Sequence, residues 1–180
     1  MPKKIICMLV ILFLLIGAVG CGFLNREPSE EELPESEEDS EETLGHFRKT
    51  VFYFVNERGL LVPVTRDIPW VEGIGRAALE SLVDSEGLRA ELAEKGLRAP
   101  LPEGTKILGM TIRDGIAKVD FNSNFIQTSD AAAEQTAIDA VVYTLTEFPT
   151  VDEVQILVEG KLLDRTPNGN QLNQVLKRQN

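Results

Sequence analysis

The pattern of apolar and polar positions changes period several times after residue 46, and segment 133–158 is the clearest case. Its apolar positions follow helical spacing up to Phe148, at Ala133, Ala137, Ala140, Val141, Thr144 and Phe148. Pro149 ends this helix because proline lacks a backbone N–H and restricts the residue before it to extended geometry. Val154, Ile156 and Val158 then alternate with their neighbours, which predicts a strand with one buried face.

Two earlier segments alternate as hairpins. Val51–Val55 and Leu60–Val64 flank the four-residue turn 56–59. Both faces are apolar, with Val51, Tyr53, Val55, Leu60, Val62 and Val64 on one and Phe52, Phe54 and Leu61 on the other. Pro63 predicts an edge strand, since proline cannot donate to a ladder. The second apolar face is covered either by the chain's own helices or by a partner.

The second hairpin turns at Asp114-Gly115, a strong two-residue turn signal. This turn pairs Ile112 with Ala117, Met110 with Val119 and Leu108 with Phe121. All six residues are apolar and share one face, so the pattern supports the register.

Helical patterns separate the strands. The first helix is expected from Pro69 and Trp70, with a buried stripe of Val71, Ile74, Ala78 and Leu82 and with Gly75 allowing close approach to the sheet. A short helix over Glu86–Lys95 ends at Gly96, and Ser129 or Asp130 caps the long helix. The predicted fold class is therefore α+β: a ββαββαβ-type sandwich, mostly antiparallel, with helices packed on one face of the sheet.

The N-terminus has the features of an export signal. Lys3 and Lys4 precede the uncharged run Ile5–Gly20. The ending Ala18-Val19-Gly20-Cys21 resembles a bacterial lipoprotein signal, and this resemblance implies that Cys21 is diacylated and becomes the first mature residue. Ordinary signal-peptidase cleavage and an uncleaved anchor are the alternatives. The expected location is extracytoplasmic, with an N-terminal lipid anchoring the chain to the cell membrane.

Negative charge is concentrated in one short segment of the 180-residue chain. The net charge is −11, and ten of the 29 acidic residues lie between residues 27 and 42. From Leu44 onward, 15 basic and 19 acidic residues give −4. We therefore expect a signal peptide over 1–20, a lipidated cysteine and disordered acidic tether over 21–46, a domain over 47–163 and a polar tail over 164–180, mobile in its last ten residues. Nothing in this distribution favours nucleic acid as a partner.

The sequence offers few groups for catalysis. His46, the only histidine, lies at the junction of tether and domain, and Cys7 and Cys21 both precede the domain. Motifs for a metal, a cofactor or a nucleophile are not found in the sequence, so no metal, no cofactor and no enzyme activity are expected. Four carboxylates could converge as a glycosidase-like pair, although surface ionic roles are commoner: Glu80, Asp120, Glu147 and Asp152.

Two segments carry a family resemblance, TLTEFPTVDEVQILVEG at 144–160 and GLLVPVTRDIP at 59–69. Both resemble the sporulation and spore germination (GerM) domain family, whose members are similar to ring-building motifs of secretion and sporulation channels. Arg66 and Glu80 match recurrent family positions and are the candidate binding residues. Arg66 would pair with Asp67 or with a carboxylate across the fold, which Glu80 could supply, or it would meet a partner.

The resemblance implies a non-catalytic envelope lipoprotein with a role in sporulation or germination. Its domain would bind envelope or sporulation-channel proteins or form a homo-oligomer, while the lipid anchor would bind the membrane. The alternative is a lipoprotein that binds a small ligand or the cell wall, which would require a concave pocket with convergent polar groups.

Overall fold

The computed structural model describes residues 47–179. They form, in chain order, β1 (Phe47–Asn56), β2 (Leu61–Pro69), α1 (Ile74–Glu80), α2 (Glu86–Ala93), β3 (Leu97–Arg98), β4 (Ile107–Arg113), β5 (Ile116–Phe121), a 3-10 helix (Ser123–Ile126), α3 (Ala131–Leu145) and β6 (Glu153–Val158). The predicted signal segment, Cys21, the acidic tether and His46 lie outside the described residues.

The first sheet contains the predicted hairpin, with longer strands. β1 lies between β2 and β3, which leaves β2 at an edge, as Pro63 indicated. Phe52 and Phe54 are buried in the core, and Tyr53 and Val55 are buried on the opposite side of the strand. Both faces of β1 are therefore covered within the chain.

The predicted start of the first helix is wrong. β2 continues to Pro69, which an edge strand tolerates because no ladder bond is lost there. Gly73, in a left-handed conformation with φ 78°, precedes α1, which begins at Ile74. Val71 consequently lies in a loop and is exposed, whereas Ala78 and Leu82 are fully buried as predicted.

The second sheet has the order β4-β5-β6. Ile112 lies opposite Ala117 and Met110 opposite Val119, as predicted, and Asp114 and Gly115 both have positive φ, as the tight turn requires. A bulge after Ile107 places Ile107 opposite Phe121 in the position expected for Leu108. The predicted pairing of Leu108 with Phe121 is therefore wrong, and Leu108 and Ile112 are both exposed.

The rest of the core forms around α3. Asp130 caps this helix, with its Oδ1 accepting from the Ala133 N–H at 2.8 Å. α3 ends at Leu145, and Phe148 is buried in the turn after it. β6 pairs parallel with β5 and buries Leu157 as well as the three predicted residues. The α+β class with antiparallel sheets and helices is confirmed, and the strands are distributed over two three-stranded sheets.

The C-terminal segment, residues 164–179, corrects the prediction of a mobile end. Leu172 is fully buried in the core. Leu176 and Val154 exchange two backbone hydrogen bonds of 2.9 and 2.7 Å, which extend the sheet beyond β6. Two apolar anchors in an otherwise polar stretch thus hold this segment against the domain.

Candidate functional site

Arg66, a candidate binding residue, reaches from β2 to α2. Its guanidinium forms an ion pair with Glu91 and lies 5.1 Å from the ring centre of Phe54. The partner is therefore a carboxylate across the fold; Asp67, the next residue in the strand, points to the opposite face. The hydrogen bond from Arg66 lowers the pKa of Glu91, against the opposing effect of burial.

Glu80, the second candidate, does not meet Arg66. It is exposed on α1 and accepts a 2.9 Å hydrogen bond from Arg76, one helical turn earlier. Arg76 also donates to the backbone carbonyl of Ile107, which fixes its position beside β4. The expected pairing of Arg66 with Glu80 is wrong, because the nearer Arg76 occupies Glu80 on its own helix face.

The other candidate carboxylates have separate local roles. Asp120 accepts from the Gly160 N–H at 2.8 Å, and Asp152 packs against Gly115, where an added Cβ would lie 2.4 Å from its Oδ2. Within residues 47–179, no group of three or more His, Cys, Asp and Glu side chains is placed to hold a metal ion. The helices of this same region are all too short or too polar to cross a membrane.

Glu147 belongs to a cluster with two tyrosines and the C-terminal segment. Its Oε1 accepts from the Tyr53 hydroxyl at 2.8 Å and from Arg178 Nη1 at 2.5 Å. The Arg178 guanidinium lies 5.2 and 5.1 Å from the ring centres of Tyr53 and Tyr143. Burial raises the pKa of Glu147, but the hydrogen bonds from Arg178 and Tyr53 bring it below its ordinary value. This cluster fixes the end of the C-terminal segment.

A second polar cluster, which sequence reasoning missed, fixes the start of that segment. Glu134 is fully buried on α3 and accepts from the Thr166 hydroxyl. Its carboxylate also accepts from Asn170 Nδ2 at 2.8 Å and from Asn168 Nδ2 at 3.0 Å. The turn Thr166-Pro167-Asn168-Gly169-Asn170 therefore solvates a buried carboxylate. The only sign of this cluster in the sequence was the high density of side-chain hydrogen-bond donors in this turn.

An apolar groove lies between the start of α1 and the edge strand β4; we call it the edge groove. Gly73, Ile74, Gly75 and Arg76 form one wall, and Met110, Thr111 and Ile112 form the other, around about 310 Å³. Gly75 is needed for the close approach that its position predicted: an added Cβ would lie 2.8 Å from Met110 Cε. Ile112 and Leu108 leave 44% and 49% of their surface exposed on β4.

Comparison with known proteins identifies the domain. The model of the Germane family, described as sporulation and spore germination, matches residues 51–164. The chain belongs to the Germane family. The match begins within β1, covers the other strands and all three helices, and ends where the C-terminal segment begins, so the edge groove lies within the matched range.

Relatives of known structure agree with this assignment. The first GerMN domain of the sporulation protein GerM from Bacillus subtilis is 31% identical, has a TM-score of 0.65, and is matched over 73% of this chain and 98% of its own. The tandem GerMN domains of the same protein are 30% identical with a TM-score of 0.66, over 74% of this chain and 47% of theirs.

The spore germination protein GerM of Bacillus subtilis (strain 168) is 32% identical over 117 residues, which are 65% of this chain. The match spans 31% of that protein's length. The relationship therefore concerns the Germane domain rather than the whole of the longer relative.

Proposed function

We propose that this protein is a non-catalytic, lipid-anchored extracytoplasmic lipoprotein whose Germane domain mediates protein–protein interaction or assembly in the cell envelope, in sporulation and germination. The observation that carries this proposal is the edge groove. Exposed Ile112 lines this apolar groove, and exposed Leu108 lies on the same strand. The outer edge of that strand pairs with no other strand within residues 47–179. Such an edge offers both backbone hydrogen bonds and side-chain contacts to a partner.

The placement of the carboxylates supports a non-catalytic role. Glu80 pairs with Arg76, Asp120 holds the Gly160 turn, and Glu147 binds Arg178. A general acid and base pair would instead converge on one cleft. These side chains serve the scaffold, and the exposed apolar surface is left for recognition.

The partners we propose are envelope or sporulation-channel proteins and a second copy of this chain. The unpaired edge of β4 suits either, because an added strand can come from another protein or from a copy of the same one. The acyl group on Cys21 would hold the chain at the membrane. The family's association with sporulation and spore germination supports the process.

The test is in-cell crosslinking of the intact protein, followed by mass spectrometry, with Ile112→Lys compared with Leu162→Lys. The two leucine-sized side chains are matched in exposure, at 44% and 45%, and Leu162 lies after β6 rather than in the edge groove. We expect Ile112→Lys to lose crosslinks to envelope proteins or to a second copy, while Leu162→Lys keeps them. Equal recovery from both variants would contradict the proposal.

A further inference from the structure

A second groove, whose lining includes five amide side chains, lies between α3 and the C-terminal segment; we call it the amide groove. It has a volume of about 580 Å³, within the range of small-ligand sites. Ile138 and Val142 of α3 and Leu176 supply apolar lining. The polar lining includes Gln135, Asn170, Gln171 and Gln174. The amides of Gln171 and Gln174 can both donate and accept hydrogen bonds, whereas Asn170 Nδ2 already donates to Glu134 and to the carbonyl of Ala131.

Both walls of the amide groove are formed before any ligand arrives. One wall is the helix α3, and the other is fixed at one end by the buried Glu134 cluster. At the opposite end Arg178 packs against the rings of both Tyr53 and Tyr143, and Leu172 anchors the stretch between the two ends. A groove fixed in this way loses little conformational entropy when a ligand binds.

Asp139 is the acidic group of the amide groove. Its carboxylate is half-buried, and Oδ1 accepts a 2.9 Å hydrogen bond from Gln135 Nε2. Two cations also line the groove, but Lys177 pairs with Glu153 at 2.5 Å and Arg178 with Glu147. Asp139 is not a member of any ion pair found within residues 47–179. Burial raises the pKa of Asp139, and the Gln135 hydrogen bond opposes this only in part.

We propose that the amide groove binds a short peptide that presents a primary ammonium group to Asp139. The lining amides match the N–H and C=O groups of a peptide backbone, and the apolar lining contacts the methylene stem of the amine. Oδ1 already holds Gln135, so one carboxylate oxygen remains for a new donor. A point-like ammonium fits this better than a guanidinium, which binds both oxygens at once.

This ligand site shares no lining residue with the edge groove, and ligand binding there would be a function additional to assembly. Its second wall, residues 169–179, also lies outside the range matched by the family model. The ligand chemistry therefore depends on the segment that follows the range matched by the family model.

Calorimetric titration of the full-length protein in detergent micelles tests the proposal, with acetyl-Gly-Lys-Gly-amide as the probe. We expect saturable binding that weakens at least about tenfold when the lysine is Nε-acetylated, because the charge-assisted hydrogen bond is lost. The arginine peptide should bind more weakly than the lysine peptide. These comparisons use the unaltered protein, so they do not depend on whether a variant folds.

Variants then locate the site. Asp139→Asn should weaken binding of the lysine peptide at least about tenfold, while the exposed Asp67→Asn on β2 and Ile112→Lys in the edge groove should leave it unchanged. Saturating peptide should also lower the pKa of Asp139, followed by the ¹³C shift of its carboxyl carbon. Absence of saturable binding up to about 10 mM peptide, a range that includes even weak complexes, would overturn the proposal, as would equal binding of the acetylated peptide.

Discussion

The edge groove and the amide groove differ in their chemistry and in the segments that form them. The edge groove lies between two elements of the Germane domain, α1 and β4, and is lined by glycines, apolar side chains and the edge of a strand. The amide groove has one wall on α3 and the other on residues 169–179, beyond the matched range. The first groove therefore lies wholly within the range matched by the family model, whereas the second also requires the C-terminal segment.

The two grooves also depend on different kinds of interaction. The edge groove is supported by the close contact of Gly75 with Met110 and by core packing beneath it. The second wall of the amide groove is held by one fully buried leucine, one backbone pairing at Leu176 and two polar clusters. It should therefore be possible to weaken the amide groove without altering the edge groove.

Leu172→Ala is expected to have the largest effect. Truncating this fully buried side chain should lower the free energy of unfolding by about 2–5 kcal/mol, because it removes apolar contacts and leaves a cavity. Denaturant unfolding measures this loss. Peptide binding at the amide groove should weaken in parallel, while crosslinking through Ile112 should persist under folding conditions.

The matched control is Val175→Ala, three residues later in the same segment and partly exposed. This substitution should change the free energy of unfolding by no more than about 0.5 kcal/mol, as most surface substitutions do. If Leu172→Ala lowers the free energy of unfolding by no more than this control does, the C-terminal segment is not anchored by the core. The two grooves would then not differ in what holds them in place.

Arg178→Ala is expected to have a smaller, pH-dependent effect. The free energy of unfolding of the variant should be about 1 kcal/mol lower than that of the wild type at neutral pH. The effect is small because the ion pair and the ring contacts are only partly shielded from solvent. The pKa of Glu147 lies below its ordinary value in the folded protein, so this stabilisation is present above that ordinary value. The ion-pair contribution disappears as the pH falls through the lowered pKa and Glu147 becomes protonated, whereas the ring contacts of the still charged Arg178 persist.

Unfolding midpoints measured between neutral pH and about pH 3 should therefore show the wild-type and Arg178→Ala values converging as acid is added. Lys161→Ala, which removes an exposed positive charge after β6, serves as the control. A difference between wild type and Arg178→Ala that stays constant over this range would contradict the assigned role of Glu147.

The features that could be predicted from sequence are those fixed by local chemistry. The Asp114-Gly115 turn, the Asp130 cap and the register at Met110 and Ile112 depend on residues close together in the chain. The late start of α1 was not predictable from Pro69, because proline suits both an edge strand and a first helical turn. The bulge that exposes Leu108 likewise leaves no distinct pattern in this sequence.

Features of the candidate sites that depend on distant partners were missed. Arg66 is a candidate from sequence, yet its partner Glu91 could not be chosen among many carboxylates without the fold. Polarity made the C-terminal segment look mobile, but its asparagines bind Glu134 and Leu172 enters the core. Whether a polar segment is ordered depends on what it packs against, which composition does not specify.

A photo-crosslinking amino acid at position 112 of the intact chain in cells tests whether the edge groove is the surface that partners bind. The same amino acid at position 162, where exposure is equal, provides the reference. We expect crosslinks from position 112 to an envelope protein or to a second copy of this chain, well above those from position 162. Crosslinks from both positions at the same low level would contradict it.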